Sequence, residues 1–143
     1  MQTVDYSQID IATFVEELLQ MGMFACSAGF SQSAYDLFEK LHESFPDSEA
    51  PILAMAHAKL AIGEVEEAED LLISKEKTLE SVSEAIAIMK MIIALRKGNN
   101  GKANQIKNST QFDGNEAFND LADKVMEELG GGNKQQYGGM LGL

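Results

Sequence analysis

The sequence contains no tryptophan, one cysteine, two prolines and 11 basic residues against 23 acidic ones. A single cysteine cannot form an internal disulfide or supply the paired thiolates of a structural zinc site, so a reducing compartment is expected. A formal net charge of −12 would repel a phosphate backbone. These scarcities argue against a secreted disulfide scaffold and against a nucleic-acid-binding protein.

Long apolar runs are also scarce. The longest covers residues 85–95 and is interrupted by Lys90, which makes it too short to span a bilayer. The N-terminal sequence MQTVDYSQID has neither the basic region nor the apolar region of a signal peptide. Together these features predict a soluble, cytoplasmic protein without a membrane span.

A short phrase recurs three times along the chain. It begins at Gly29 as GFSQSAYDLF, at Gly63 as GEVEEAEDLL and, more faintly, at Gly98 as GNNGKANQIK. In each copy an alanine follows the glycine after five residues, and a leucine or isoleucine follows that alanine after three. The copies begin 34 and then 35 residues apart. Self-similarity at this period is typical of a helical repeat array.

Apolar residues at helical spacing predict a helix before and after each glycine. The predicted helices cover residues 11–28, 31–45, 49–62, 64–76, 85–95, 102–108 and 115–129. The fold class is therefore predicted to be all-α. Residues 1–9 are expected to form a flexible N-terminus, residues 10–129 a repeat domain closed by a C-terminal capping helix, and residues 130–143 a flexible Gly-rich tail.

Helix pairs of this length, with glycine in the turn, resemble the tetratricopeptide repeat. The second unit keeps Gly63 and Ala68 but has Lys59 at a packing position, and the third keeps Gly98 and Ala103. The resemblance implies three tetratricopeptide-like repeats in a right-handed α-solenoid. The first unit matches the family's signature spacings best, at Leu18, Gly22, Ala25, Gly29, Ala34, Phe38 and Pro46. Small residues at Gly22 and Ala34 are expected to let the first two helices approach closely, with Leu18 and Phe38 filling the space around them.

In tetratricopeptide arrays the first helix of each pair lines the concave face. Carrying that geometry over to this sequence gives a predicted partner-binding face composed almost entirely of apolar side chains. Such a face suits an apolar helix as its ligand. The assigned residues are Leu19, Met23, Cys26, Leu53, His57, Leu60, Ile88, Met89, Ile92 and Leu95.

The fifth predicted helix supports this assignment on physical grounds, because ten of its eleven residues are apolar. Packing against neighbouring helices uses two of its three apolar stripes. Leaving the third in water would forgo roughly 5 kcal/mol of burial. Three candidates could cover it: the protein's own last helix or tail, an amphipathic helix of a partner, or a second copy of the chain.

No catalytic set emerges from the sequence. His42 is expected on a solvated helix face, while His57 and Cys26 are expected to pack among apolar residues. The carboxylates of EVEEAED occupy a predicted solvent face and lack the loop spacing of a calcium site. The protein is therefore predicted to be non-enzymatic, with no cofactor and no metal.

A small acidic protein with three such repeats and an apolar groove resembles the chaperones of bacterial type III secretion that hold needle subunits or translocators. The resemblance implies a cargo with an aggregation-prone amphipathic helix, which the groove keeps soluble before export. A second small chaperone chain is a further candidate partner. The alternatives are an adaptor or scaffold subunit of a multiprotein assembly, and a homodimer formed through the same face.

Overall fold

The structure is a computed structural model that describes residues 11–79, 83–110 and 116–130. These ranges contain helices and no strand, so the all-α prediction is confirmed. The expectations of a flexible N-terminus and a flexible Gly-rich tail fall on residues outside the described ranges. The helices are α1 (Ile11–Ser27), α2 (Ser31–Ser44), α3 (Glu49–Ala61), α4 (Val65–Glu76), α5 (Glu84–Arg96), α6 (Asn100–Ser109) and α7 (Glu116–Leu129).

Two helices begin earlier than their apolar pattern predicts, because side-chain caps extend them. The Ser83 hydroxyl accepts a hydrogen bond from the backbone N–H of Ile86 at 3.3 Å, so α5 begins at Glu84. The Asn99 side-chain oxygen accepts one from the N–H of Lys102 at 3.0 Å, so α6 begins at Asn100. Each cap satisfies an N–H that the helix itself leaves without a partner.

The recurring glycines end α1, α3 and α5 in the same way. Gly29, Gly63 and Gly98 have φ angles of +93°, +81° and +78°. Each donates its N–H to a carbonyl three residues earlier, and the next residue donates to a carbonyl five residues earlier. This is the left-handed helix end that glycine adopts without steric cost. The repeated phrase is therefore explained by the helix terminus that it forms.

This geometry predicts opposite effects for two neighbouring glycines. A side chain at Gly98 would meet nothing within 4 Å, so Gly98→Ala should lose about 1 kcal/mol of stability through backbone strain alone. Gly101 lies inside α6, and its nearest neighbour would be an ordinary contact at 3.9 Å. Gly101→Ala should therefore gain about 0.5 kcal/mol through helix propensity. Urea unfolding of both variants checks the prediction, and equal signs would contradict it.

The chain forms two compact units, residues 1–64 and residues 65–143. The first unit contains α1, α2 and α3, and the second contains α4 to α7. The boundary follows Glu64, inside the second predicted helix pair. The single repeat domain over residues 10–129 stays a prediction.

In the first unit, α2 packs against both α1 and α3. Phe38 is fully buried and lies directly against the backbone of α1 at Gly22. A Cβ atom at Gly22 would lie 2.2 Å from Cε1 of Phe38, so only glycine permits this approach of the two helices. Ala34, on α2 like Phe38, is also buried, and its side chain is small. The expected close packing of α1 and α2 is thus present.

In the second unit, α5 is central and packs against α4, α6 and α7. Its side chains Ile88, Met91 and Leu95 form an apolar cluster with Ala122 and Val125 of α7. Partly buried side chains pack around the cluster, namely Ile92, Ile106, Phe118 and Met126. Helix α7 therefore covers the surface of α5 that the sequence left without an assigned neighbour.

The sequence pattern predicts that α7 presents Ala117, Phe118, Leu121, Val125 and Leu129 on one buried side, and the structure buries only part of this set. Ala117 is exposed, and Leu121 and Leu129 are each 45% exposed. The side chains that face the cluster are Phe118, Ala122, Val125 and Met126. These four follow the i, i+4, i+7, i+8 spacing of one helical stripe. The predicted stripe was wrong because small Ala122, and not Leu121, lies at the centre of the contact.

Candidate protein-binding surface

The predicted partner-binding residues of the first unit lie on α1 and α3, which pack against each other. Leu19 and Met23 are half-buried on α1, and Leu53 and His57 are half-buried on α3. In both pairs the residues are four apart, so each pair lies on one face of its helix. Cys26 and Leu60 are buried. We name the four half-buried residues Leu19, Met23, Leu53 and His57 the α1/α3 surface.

His57 is the one titratable side chain of the α1/α3 surface. Partial burial lowers its pKa below the ordinary value, because removal from water disfavours the charged imidazolium. The imidazole is therefore neutral at neutral pH. The α1/α3 surface consequently presents three apolar side chains and an uncharged ring, a combination that suits an apolar ligand.

The other histidine corrects a sequence prediction. His42 was expected on a solvated face, but its side chain is buried, with 8% exposure. It follows Phe38 by one helical turn, and Phe38 and Leu41 are both buried on α2. Its spacing of four residues from Phe38 places it on the inner face of that helix.

The four predicted partner-binding residues of the second unit do not line an open groove. Ile88 and Leu95 are buried, while Met89 and Ile92 are half-buried. Ile88, Ile92 and Leu95 all belong to, or pack against, the cluster with α7. Partner binding by this stripe stays a prediction, and in the structure α7 packs against it. Its cover is the protein's own last helix, one of the three candidates considered.

Charged side chains connect the helices of the second unit. Lys97, which follows α5, donates hydrogen bonds to Glu69 at 2.7 Å and to Glu66 at 3.3 Å, both on α4. The hydrogen bond from Lys97 lowers the pKa of Glu69, and the charge of nearby Lys102 adds to this. The same contacts raise the pKa of Lys97. These ion pairs connect α4 with Lys97 at the end of α5 and with Lys102 of α6.

We expect Lys97→Gln to raise the pKa of Glu69 towards its ordinary value. A carboxyl group with a lowered pKa in the folded state stabilises that state above its unfolded pKa. The stability difference between wild type and variant should therefore be present at neutral pH and disappear as the pH falls through the folded-state pKa. Carboxyl carbon NMR titration measures the shift directly. Exposed Lys124→Gln on α7 is the control, and an unchanged Glu69 titration in Lys97→Gln would contradict the assignment.

One cavity lies between α4, α5 and α6 of the second unit, with a volume of about 160 Å³. Its lining is mainly apolar, with Leu72, Ile93 and Ile106 among the residues. The two lysines in the lining are both paired, Lys90 with Glu76 and Lys102 with Glu69. Ligand pockets usually measure 300–1,000 Å³. The cavity is thus of the size that accommodates a side chain.

Within residues 11–79, 83–110 and 116–130, no group of three or more His, Cys, Asp or Glu side chains is placed to hold a metal ion. None of the helices in these same ranges is both long enough and apolar enough to cross a membrane.

Comparison with known families gives one match. Residues 28–74 match the family model described as tetratricopeptide repeat. The match covers α2, α3 and most of α4, together with the turns at Gly29 and Gly63. No curated protein and no solved structure matches the chain. The match supports a tetratricopeptide-repeat protein, a class of generally non-enzymatic modules that bind other proteins.

Sequence reasoning missed a second apolar surface on α1. Phe14, Met21 and Phe24 are exposed on that helix, and Phe30 is exposed immediately after it. We name these four residues the aromatic patch. Their spacing along α1 was a usable signal, because residues seven apart lie on the same face of a helix. That signal was obscured because the repeat pattern directs attention to Leu18, Gly22 and Ala25 on the neighbouring face.

Proposed function

We propose that this protein is a non-enzymatic chaperone that binds an amphipathic helix of a partner on the α1/α3 surface. One observation carries the proposal. Within a unit that contains tetratricopeptide sequence, Leu19, Met23, Leu53 and His57 keep accessible side chains on two helices in contact. Pairs of apolar residues one turn apart fit the i, i+4 anchors of an incoming helix.

The chemistry of the α1/α3 surface suits such a ligand. The thioether of Met23 is flexible and polarisable, so it adapts to ligand side chains of different shapes. Neutral His57 offers one hydrogen-bonding group without the cost of burying a charge. Since all four side chains are already half-buried, each gains less than the full 1.5–3 kcal/mol on covering. The proposed complex therefore depends on several contacts together.

The proposed contact also includes four residues of α5 under one further condition. They are Ile88, Met89, Ile92 and Leu95. A partner helix reaches the α5 stripe only by displacing α7, because Ala122 and Val125 of α7 are buried against it. Displacement would expose that apolar cluster unless the partner supplies equivalent side chains. The α1/α3 surface needs no such rearrangement, so we place the primary contact there.

The proposed biological setting is type III secretion, with a small needle subunit or translocator as cargo. The net charge of −12 supports a solubilising role, because a charged complex resists association through its apolar parts. A second candidate is an adaptor or scaffold subunit, which the tetratricopeptide match alone also favours. Retention of the protein in the finished assembly would distinguish the scaffold from an export chaperone.

Two methionines on α1 provide a matched test. Met21 and Met23 are two residues apart and so point about 160° apart around the helix. Affinity capture from the source cell with mass spectrometry identifies the partner, and the complex is then rebuilt from purified chains. We expect Met23→Glu to weaken it about 100-fold and Met21→Glu to change it less than about 3-fold. Equal losses, or a larger loss with Met21→Glu, would contradict the α1/α3 surface as the cargo site.

A further inference from the structure

The aromatic patch exposes a large apolar area. Its exposed fractions are 51% for Phe14, 64% for Met21, 77% for Phe24 and 64% for Phe30. With a typical area of about 200 Å² for such a side chain, the patch exposes about 500 Å². A standard interface buries about 800 Å² on each partner, so these four residues supply more than half of one. The largest apolar patch on a monomeric protein measures about 300–600 Å² and is often functional.

The patch lies on the opposite side of α1 from the α1/α3 surface. Phe14 and Met21 are seven residues apart and share a face, whereas Met23 points about 160° away from Met21. Phe30 follows the C-terminal end of α1, where its N–H donates to the carbonyl of Ala25 at 2.8 Å. Helix α1 therefore presents two separate apolar surfaces.

The acidic charge of α1 favours one kind of partner over the others. Glu17 is exposed, follows Phe14 by three residues and precedes Met21 by four, so it lies within the patch. Helix α1 contains two glutamates and no basic residue. A second copy of this chain would bring Glu17 against an equally acidic surface, and juxtaposed like charges oppose association. A cationic partner would instead neutralise Glu17 while its apolar face covers the phenylalanines.

We propose that the aromatic patch of α1 binds a basic amphipathic helix of a second protein, independently of the cargo on the α1/α3 surface. The partner helix places apolar side chains on Phe14, Met21 and Phe24 and a lysine or arginine opposite Glu17. Its binding is expected to weaken with salt, because the pairing with Glu17 is exposed to screening. The protein would thus hold two different helices on one helix of its own.

The test uses a synthetic amphipathic helix of about five turns, with a leucine stripe flanked by lysines, and a second peptide with glutamate at every lysine position. Fluorescence anisotropy measures binding to the full chain. The lysine peptide should bind at least about 10-fold more tightly than the glutamate peptide. Phe24→Ser and Glu17→Lys should each weaken it about 10-fold. The control Ile62→Ser, at another exposed apolar residue of the first unit, should change it less than 2-fold.

Several results would overturn the proposal. If Phe24→Ser left binding unchanged, as Ile62→Ser should, bulk charge and not the aromatic patch would attract the peptide. Sedimentation could instead detect a dimer whose population rises with salt and which is absent in Phe24→Ser. That result would assign the patch to a second copy of the chain. Binding that appears only after removal of residues 2–10 would assign it to the chain's own N-terminus. Met23→Glu should leave peptide binding intact, so failure of the cargo proposal is distinguishable from failure of this one.

Discussion

Replacement of Gly22 by alanine should destabilise the first unit by up to about 2 kcal/mol. The new Cβ atom would lie 2.2 Å from Cε1 and 2.4 Å from Cζ of Phe38, whose side chain is fully buried and has no free space to enter. Forcing such overlap typically costs 1–3 kcal/mol and occasionally more. Alanine recovers about 1 kcal/mol of helix propensity, so the clash must be large for the net effect to be a loss.

A second substitution tests the cause of that loss. Leucine at position 38 lacks the two ring atoms that the new Cβ would strike, so Phe38→Leu should partly rescue Gly22→Ala. A double-mutant cycle from urea unfolding would then show a favourable coupling between the two positions. Gly101→Ala is the control, as a helical glycine without a tight neighbour. Additive effects of Gly22→Ala and Phe38→Leu would mean that the two helices do not touch at this point.

Leu95→Asp should unfold the second unit. Leu95 is 7% exposed and belongs to the cluster formed by α5, α6 and α7. The substitution removes a buried apolar side chain and puts an ionised group in its place, and losses above 4 kcal/mol follow from this combination. A marginally stable domain does not tolerate a loss of that size. Circular dichroism should therefore show reduced helicity and an earlier melting transition.

The matched control is Leu121→Asp, on the solvent side of α7, where the side chain is 45% exposed. Its effect should stay within about 0.5 kcal/mol, as for ordinary surface positions. If Leu95→Asp instead left helicity and melting temperature unchanged, α7 would not cover α5. The stripe of Ile88, Ile92 and Leu95 would then be an open face, as the sequence pattern predicted.

The parts of the fold that depend on local chemistry could be predicted from sequence. Helix spacing and the glycines at positions 29, 63 and 98 are enough to define the helices and the turns between them. Gly22 and Phe38 could likewise be paired from their spacing. In these cases the residues that specify the structure lie within a few turns of one another, or within one repeated helix pair.

The remaining features depend on contacts between distant segments. The sequence showed that the fifth helix has one apolar stripe more than its neighbours could bury. Burial of that stripe by the last helix, by a partner or by a second copy would satisfy the same energetic requirement. Which residue of α7 faces inward was also undetermined, since Leu121 and Ala122 differ by only about 100° around the helix. His42 was also misplaced, because its polar ring suggested exposure to solvent although it lies four residues from Phe38 and next to Leu41.

The most direct test of the account is a methyl NMR spectrum of the chain labelled at its eight methionines, recorded with and without the purified cargo. We predict that the Met23 methyl signal shifts on binding while those of Met21, Met89, Met91 and Met126 do not. That result would locate the cargo on the α1/α3 surface with α7 still packed on α5. Shifts of Met91 and Met126 with an unchanged Met23 would contradict the account, because the cargo would then bind α5 after displacing α7.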